Sequence, residues 1–250
     1  MRDVLINVDL SQAELRVMAI LSGDPWMMAA LQEGQGDFFN YHMMPVAYPD
    51  YFPNGVSDVD ALAISDSTLH KELRTNCKAV QYGLAFGRQA PAIANSLGLP
   101  VREAQAIIDN YFETAPGFQE WRIKVMEAAT TPAKREFLTN PFGRVFHSEI
   151  ITPRNRANVE REALSFLPQS TSSDICLTTG ILIDSELEDM GYIIFNSVHD
   201  ALMIQGPKDG ADAIGKYVGQ KFREVGQLVM GDSVPFLSDY SYGRSWADLD

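Results

Sequence analysis

The sequence has few cysteines and no long apolar run. Cys77 and Cys176 are the two cysteines among 250 residues, and neither stands in a metal-ligand spacing. Such usage is typical of a reducing cytoplasm. No stretch of about 18 apolar residues is present, so no transmembrane helix is expected. Polar side chains interrupt the first residues too early for a signal peptide, so we expect a cytoplasmic protein.

Positive charge is also scarce. The chain has 20 Lys and Arg against 33 Asp and Glu, and its net charge is -13. Because phosphate binding favours a basic face, this balance argues against a nucleic-acid partner. The segment 134–161 departs from the average, since it holds six basic and three acidic residues. It is either a patch that contacts a nucleic-acid backbone or a solvated basic run, and the sequence leaves both open.

Two stretches with strong β patterns stand near the two ends of the chain. The apolar run Leu5–Val8 predicts a buried strand that ends at Asp9, and Glu14–Leu21 predicts the helix that follows. Two apolar runs within residues 191–206 flank the dipeptide His199–Asp200. This pattern predicts a hairpin that has the dipeptide at its tip.

The segment between these stretches is mostly helical in pattern. A weak helical signal covers residues 58–65, and a strong one covers Thr68–Phe86. Strand, helix, helical insertion, hairpin, helix and strand in this order are typical of an α+β fold, here an antiparallel sheet with an inserted α-helical subdomain. The predicted sheet domain comprises residues 1–28 and 150–250, and the predicted insertion comprises residues 29–149.

One face of the strong helix carries two cations followed by two aromatic rings. Arg74, Lys78 and Tyr82 are four residues apart and share a face, which Phe86 continues. The face suits a ligand with an anionic end and a flat or sugar-like end, such as a nucleoside triphosphate. An amphipathic surface helix whose basic side chains lie along apolar surface would show the same pattern, and the helix alone does not separate the two.

Two carboxylates end the predicted strands. Asp9 follows the first strand, and Asp200 lies at the hairpin tip. Singly, the first is typical of a helix cap and the second of a turn. Together, they can bind two Mg²⁺ ions about 3.5–4 Å apart, with a triphosphate completing the coordination shells. One ion would activate an attacking 3′-hydroxyl, and the other would hold the leaving pyrophosphate.

Three motifs in this order resemble those of the family A DNA polymerases. The first motif, the fingers helix and the third motif are matched by Asp9-Leu-Ser-Gln-Ala-Glu-Leu-Arg16, by Arg74, Lys78, Tyr82, Gly83 and Gly87, and by Val198-His-Asp200. The resemblance covers nearly the whole chain. It implies a DNA-directed DNA polymerase of DNA replication, with residues 1–28 and 150–250 as palm and 29–149 as fingers. It also implies two Mg²⁺ ions, template–primer DNA and deoxynucleoside triphosphates.

The resemblance further assigns roles to single residues. The implied metal ligands are Asp9, Asp200 and the backbone carbonyl of Leu10. Lys78 joins the two aspartates as a catalytic residue, because it would donate a proton to pyrophosphate. The implied substrate-binding residues are Arg74, Lys78, Tyr82, Phe86, Gln12 and Glu14, of which Glu14 would exclude a 2′-hydroxyl. The implied DNA contacts are Arg144, Arg161, Gln169 and His199, the last at the primer terminus.

Several positions depart from the family pattern. Ala201 stands where the third motif usually ends in Glu, and Phe86 replaces a usual Tyr. Phe39 stands where a phosphate-contacting His is usual, with His42 nearby as a candidate substitute. Ser165 stands where Asn is common.

The largest departure is at the N-terminus. The chain starts eight residues before Asp9, where family members carry a thumb, more of the palm and often an exonuclease. We therefore expect a protein partner that supplies the thumb and possible exonuclease functions. A split gene would suit a bacterial virus, which would place the protein in the host cytoplasm.

Three alternatives stay open beside a split polymerase. The chain can be a piece of a longer one. It can also be a decayed polymerase core that acts as a nucleic-acid-binding module, as Ala201, Phe39 and the missing thumb would suggest. A single-subunit RNA polymerase shares the aspartate and the cationic helix, but Glu14 disfavours it because a wall against the 2′-hydroxyl would exclude ribonucleotides.

Overall fold

The computed structural model describes residues 3–53, 55, 67–131, 133–134 and 138–249. The chain forms two compact units. Unit 1 comprises residues 1–20, 139–144 and 167–250, and unit 2 comprises residues 21–138 and 145–166. The predicted palm and fingers limits stay predictions. The weak helical signal at 58–65 and Arg135 of the basic run lie outside the described residues.

Unit 1 contains a four-stranded antiparallel sheet. Its strands have the spatial order β2-β3-β1-β4, and they are β1 (Asp3–Leu10), β2 (Ile193–Val198), β3 (Ala201–Pro207) and β4 (Ser238–Gly243). The sheet with its surrounding helices confirms the α+β prediction. In β1 every second side chain is buried (Val4, Ile6, Val8 and Leu10). The strand therefore buries one face, whereas the sequence suggested a strand buried throughout, and Asp9 lies on the opposite face.

The helices account for most of the remaining chain. They are α1 (Ala13–Ser22), α2 (Pro25–Ala30), α3 (Met44–Ala47), α4 (Ser67–Ala85), α5 (Ala90–Leu97), α6 (Val101–Thr114), α7 (Pro116–Thr130), α8 (Arg156–Asp189) and α9 (Ala211–Met230). A π-helical turn, Phe39–Met43, precedes α3. In unit 1, α9 packs on β1 and β4 through a buried stripe that includes Ile214, Val218 and Phe222. Within the described ranges, no helix has the length and apolarity that crossing a membrane requires.

The predicted hairpin is present, and α8 continues through an internal proline. β2 and β3 pair through Val198 and Ala201 and leave His199–Asp200 as the connecting dipeptide. A proline inside a helix usually kinks or breaks it, but Pro168 does not break α8. Next to the proline, the Ser172 hydroxyl donates to the Pro168 carbonyl at 2.9 Å. Helical hydrogen bonds on both sides of the proline keep the segment helical despite the missing amide.

In unit 2, Gly87 follows the cationic helix α4 at a position that only glycine fits. Its φ is +77°, and a Cβ there would lie 2.8 Å from Arg161 Cγ and 3.2 Å from Leu164 Cδ1. Gly98 also has a positive φ, +66°, but nothing lies within 4 Å of its Cβ position. A side chain at either position would therefore strain the backbone, but only at Gly87 would it also clash with neighbouring atoms.

Gly87→Ala is therefore expected to destabilise the protein more than Gly98→Ala. Backbone strain alone costs about 1 kcal/mol, and the clash with Arg161 raises the loss at Gly87 to about 2–3 kcal/mol. Chemical denaturation of both variants measures the difference. Equal losses of unfolding free energy would show that the contact between Gly87 and Arg161 does not constrain the fold.

Candidate active site

The predicted pair of carboxylates lies together in unit 1. Asp9, next to last in β1, faces Ala201 on β3 and Asp239 on β4 across the antiparallel ladders. The Leu10 amide donates to the Asp200 carbonyl at 3.3 Å, which ties the end of β1 to the hairpin tip. The carboxyl groups of Asp9 and Asp200 are close enough to share a hydrogen bond. Strand pairing thus brings together two residues that are far apart in sequence.

This proximity changes the acidity of both groups. Burial raises the pKa of Asp9 to about 6. The charge of Asp200, its hydrogen bond to Asp9 and the charge of Asp239 also raise this pKa, whereas the charge of His199 lowers it. Burial also raises the pKa of Asp200. The pair therefore holds a proton more readily than isolated aspartates do, because two half-buried anions repel each other.

The pair fits Mg²⁺ better than a metal that needs a full protein cage. Among the described residues, no group of three or more His, Cys, Asp or Glu side chains is placed to bind a metal ion. Mg²⁺ usually takes one or two carboxylates and completes its shell with water and substrate phosphates. A divalent cation would also remove the repulsion that raises the pKa of Asp9, so the donor set suits the ion.

Two cavities flank the hairpin tip. One of about 300 Å³ is lined by Glu14, Gln169, Ser172, Ser173, His199 and Asp200. The other, of about 370 Å³, is lined by Asn7, Asp9, Val198, His199, Asp200, Ala201, Met203, Trp246 and Leu249. Burial and the charge of Asp200 raise the pKa of Glu14, while a hydrogen bond with Gln169 lowers it. Four predicted site residues from three separate parts of the sequence therefore line one cavity: Glu14, Gln169, His199 and Asp200.

Strained backbone stands on both sides of the carboxylate pair. Gln12 and His199 each have a φ of 57°, and among the described residues they alone combine a side chain with this left-handed conformation. Such a conformation costs about 1 kcal/mol and persists where the surroundings impose it. Gln12 lies in the turn after β1, and His199 precedes Asp200.

A network that sequence reasoning missed holds the turn after β1. The Ser11 hydroxyl donates to Asp239 Oδ2 at 2.6 Å. Arg16 is only 5% exposed, and it donates to the Ser11 carbonyl at 2.8 Å and to the Pro235 carbonyl at 2.7 Å. Ser11 and Glu14 have the S-x-x-E spacing of a helix capping box, but the Ser11 hydroxyl is used to bind Asp239. The sequence signal for Asp239 is weak, because only the strand register places it opposite Asp9.

In unit 2, the predicted cationic face of α4 is present. The ring of Tyr82 stacks on that of Phe86, with centroids 6.1 Å apart. Arg74 binds Asp37 through two hydrogen bonds, Nε to Oδ1 at 3.1 Å and Nη2 to Oδ2 at 2.7 Å. Burial lowers the pKa of Lys78, and the charge of Arg74 adds to this while Asp37 opposes it.

The buried ring of Phe39 lies against the same face. The Arg74 guanidinium carbon and the Lys78 ammonium lie over it, 5.7 Å and 5.6 Å from its centroid. His42, the candidate substitute for the usual His, points elsewhere, since its Nε2 is 3.2 Å from the Gln35 carbonyl. Burial lowers the pKa of His42.

The predicted DNA-contacting arginines already have protein partners. In unit 1, Arg144 binds Asp174 through two hydrogen bonds of 2.6 Å and 3.1 Å, although 58% of its side chain stays exposed. In unit 2, Arg161 donates to Asn158 Oδ1 at 3.2 Å. Both side chains reach solvent, and each has donors beyond those that these contacts use.

The chain is similar to known polymerases over nearly its full length. The family model for DNA polymerase family A matches residues 1–248. DNA polymerase I of Streptococcus pneumoniae is 32% identical over 248 residues, which are 97% of this chain and 26% of that protein. DNA polymerase I of Deinococcus radiodurans is 29% identical over 247 residues, 98% of this chain and 23% of that protein.

A solved structure is similar as well. The POL domain of Pol1 from M. smegmatis, in complex with DNA primer-template and dNTP, superposes with a TM-score of 0.80 at 26% identity. The match covers 98% of this chain and 40% of that one. The chain therefore spans about a quarter of the length of the curated relatives and less than half of the solved polymerase domain.

Proposed function

Because the chain belongs to the family A DNA polymerases, we propose that it carries the catalytic core of a DNA-directed DNA polymerase. The reaction adds a deoxynucleotide to the 3′-hydroxyl of a primer on a DNA template. The observation that carries this proposal is the pair Asp9–Asp200, because the pairing of β1 with β3 and the Leu10–Asp200 hydrogen bond bring the two carboxylates together at one end of the sheet.

Unit 1 supplies the metal-binding part of the site. Asp9, Asp200 and the Leu10 carbonyl would hold two Mg²⁺ ions, and Asp9 would bind them in its ionised form. The bound ions supply the charge that activates the primer hydroxyl and neutralises the leaving pyrophosphate. The cavity shared by Glu14 and Gln169 supports a role for Glu14 in excluding ribonucleotides and for Gln169 in contacting template–primer, with His199 at the primer terminus.

Unit 2 supplies the nucleotide-binding face. Arg74 and Lys78 bind the phosphates through charge-assisted hydrogen bonds, and Tyr82 and Phe86 contact the sugar and base. Gln12, which belongs to unit 1, is proposed separately as a substrate-binding residue. The lowered pKa of Lys78 supports its role as the proton donor to pyrophosphate, because an ammonium with a lower pKa releases its proton more easily.

A thumb-bearing polypeptide completes the enzyme on this proposal. With a net charge of -13, the exposed Arg144 and Arg161 give the chain little grip on duplex DNA. The solved relative contains more than twice the length matched here. We propose that a partner protein, which can also carry an exonuclease, provides this grip in the cytoplasm.

A catalytically weak, nucleic-acid-binding module is the second candidate. It is favoured by Ala201, the residue opposite Asp9 on β3, which is 6% exposed and leaves no carboxylate where the third motif usually ends in Glu. On this view, DNA would bind but nucleotides would not be added.

Primer extension separates the two candidates. The chain is incubated at high concentration with a short template–primer, Mg²⁺ and deoxynucleotides, beside Asp200→Ala and a matched variant, Asp184→Ala, whose carboxylate is exposed on α8. The polymerase proposal predicts extension by wild type and Asp184→Ala and none by Asp200→Ala. DNA binding by fluorescence anisotropy without any extension would instead favour the binding module.

A further inference from the structure

Phe39 occupies the centre of the nucleotide-binding face, although its side chain cannot bind a phosphate. It is 1% exposed and begins the π-helical turn Phe39–Met43. Its ring centroid is 5.7 Å from the Arg74 guanidinium carbon, 5.6 Å from the Lys78 ammonium and 6.1 Å from the Tyr82 ring. A single buried ring thus contacts three of the four residues of that face.

The contacts with Arg74 and Lys78 are of the cation–π kind. The face of an aromatic ring carries negative partial charge, and a cation within about 6 Å of the centroid is attracted to it. The attraction counters the repulsion between the two cations, which adds to the effect of burial in lowering the pKa of Lys78. A buried ring also has few alternative rotamers, so it fixes where the two cations lie.

Asp37 completes this arrangement from the same segment. It lies two residues before Phe39 and holds the Arg74 guanidinium through two hydrogen bonds. The carboxylate therefore sets the orientation of Arg74, and the ring lies beneath both cationic groups. No comparable hydrogen bond is described for the Lys78 ammonium, so the ring is the main described contact that fixes its position.

We propose that Phe39 is a positioning residue that holds the charged ends of Arg74 and Lys78 in place for a triphosphate. This rests on the proposed function for the identity of the anion that the two cations bind. Phe39 does not touch the substrate and acts through the two cations. The family pattern has a phosphate-contacting His where this chain has Phe39. The direct phosphate contact is then replaced by a ring that supports the two phosphate-binding side chains, Arg74 and Lys78.

The proposal requires the electrons of the ring and not only its volume. Fluorination of phenylalanine withdraws electron density from the ring face and changes the side-chain volume little. Mono-, di- and trifluorinated phenylalanine at position 39 of the full chain therefore test whether the electrons of the ring matter. The same series at Phe38 is the matched control. Phe38 is 0% exposed and packs edge-on against Trp26, with ring centroids 5.4 Å apart.

The first readout is the pKa of the Lys78 ammonium, measured by NMR without nucleotide or DNA. Because cation–π attraction favours the charged form, successive fluorination at position 39 is expected to lower this pKa stepwise, by about 0.5 unit in total. The series at position 38 is expected to leave it unchanged. An unchanged pKa in the position-39 series, or equal shifts in both, would overturn the proposal.

The second readout is the binding of inorganic tripolyphosphate and of a deoxynucleoside triphosphate by calorimetry. Phe39→Leu is expected to weaken both about tenfold, Phe39→Tyr to retain binding, and Phe38→Leu to change it less than twofold. Equal losses in the two Leu variants would mean that Phe39 only fills space. If wild type binds no triphosphate, the proposed function fails, while the Lys78 titration still decides the role of Phe39.

Discussion

Asp9→Asn is expected to slow primer extension by at least about 1,000-fold. Without metal, the same variant is expected to be more stable than wild type at alkaline pH. The loss of rate follows because one of two carboxylate ligands is replaced by a neutral amide, and metal ions supply several kcal/mol of transition-state stabilisation. The gain in stability follows because the substitution removes one of two half-buried anions that repel each other.

The sign of the pH dependence follows from the raised pKa of Asp9. The folded protein binds this proton up to about pH 6, whereas an ordinary aspartate has a pKa of about 3.9. Folding is therefore favoured while the proton is bound, and the wild type loses this stability as the pH rises through about 6. An asparagine does not ionise, so the stability advantage of Asp9→Asn over wild type should be larger at about pH 8 than at about pH 5.

Thermal unfolding at both pH values, with and without Mg²⁺, measures this effect. Mg²⁺ should stabilise the wild type more at the higher pH, because the ion then need not displace the Asp9 proton, and it should stabilise Asp9→Asn little. Asp184→Asn, a change at an exposed carboxylate of α8, serves as the control and should behave as wild type. A variant Asp9→Asn that is less stable than wild type at about pH 8 would contradict the prediction.

Three strands of the sheet, and the place of each aspartate at a strand end, could be predicted from the sequence because local pattern determines them. The apolar runs on both sides of His199–Asp200 match β2 and β3, and the run before Asp9 matches β1. The proximity of the two aspartates, however, comes from the pairing of β1 with β3, which are not consecutive in the chain. The four-residue spacing of Arg74, Lys78 and Tyr82 likewise fixes a common face once the segment is helical.

Other features depend on tertiary contacts that no local pattern contains. Asp239 lies opposite Asp9 only because β4 pairs with β1 in one particular register. From the sequence, Phe39 indicated only that a phosphate-contacting His is missing. Its position under Arg74 and Lys78 depends on how the π-helical turn packs in unit 2. The continuity of α8 through Pro168 also depends on surroundings that override a local preference.

The second large effect is expected at the cationic face of α4. Arg74→Ala should lower kcat/KM for a deoxynucleotide about 100-fold, mainly through KM, because a hydrogen bond to a charged group contributes about 1.5–3 kcal/mol. The substitution also leaves Asp37 without its guanidinium partner. A carboxylate that has lost this positive charge would repel the phosphates of the nucleotide and add to the loss. Lys71→Ala, which removes an exposed cation of the same helix, should change kcat/KM less than twofold.

The repulsion by Asp37 can be separated from the loss of the arginine itself. If the negative charge of Asp37 contributes, Arg74→Ala/Asp37→Ala should bind a deoxynucleotide more tightly than Arg74→Ala alone, although still more weakly than wild type. Single-nucleotide incorporation by the two single variants, the double variant and the wild type completes a double-mutant cycle, whose interaction term measures the coupling between the two side chains. Equal values of KM for Arg74→Ala and Lys71→Ala would show that Arg74 does not bind the triphosphate. A double variant no better than Arg74→Ala would show that Asp37 only orients the arginine, and that the whole loss comes from the missing guanidinium.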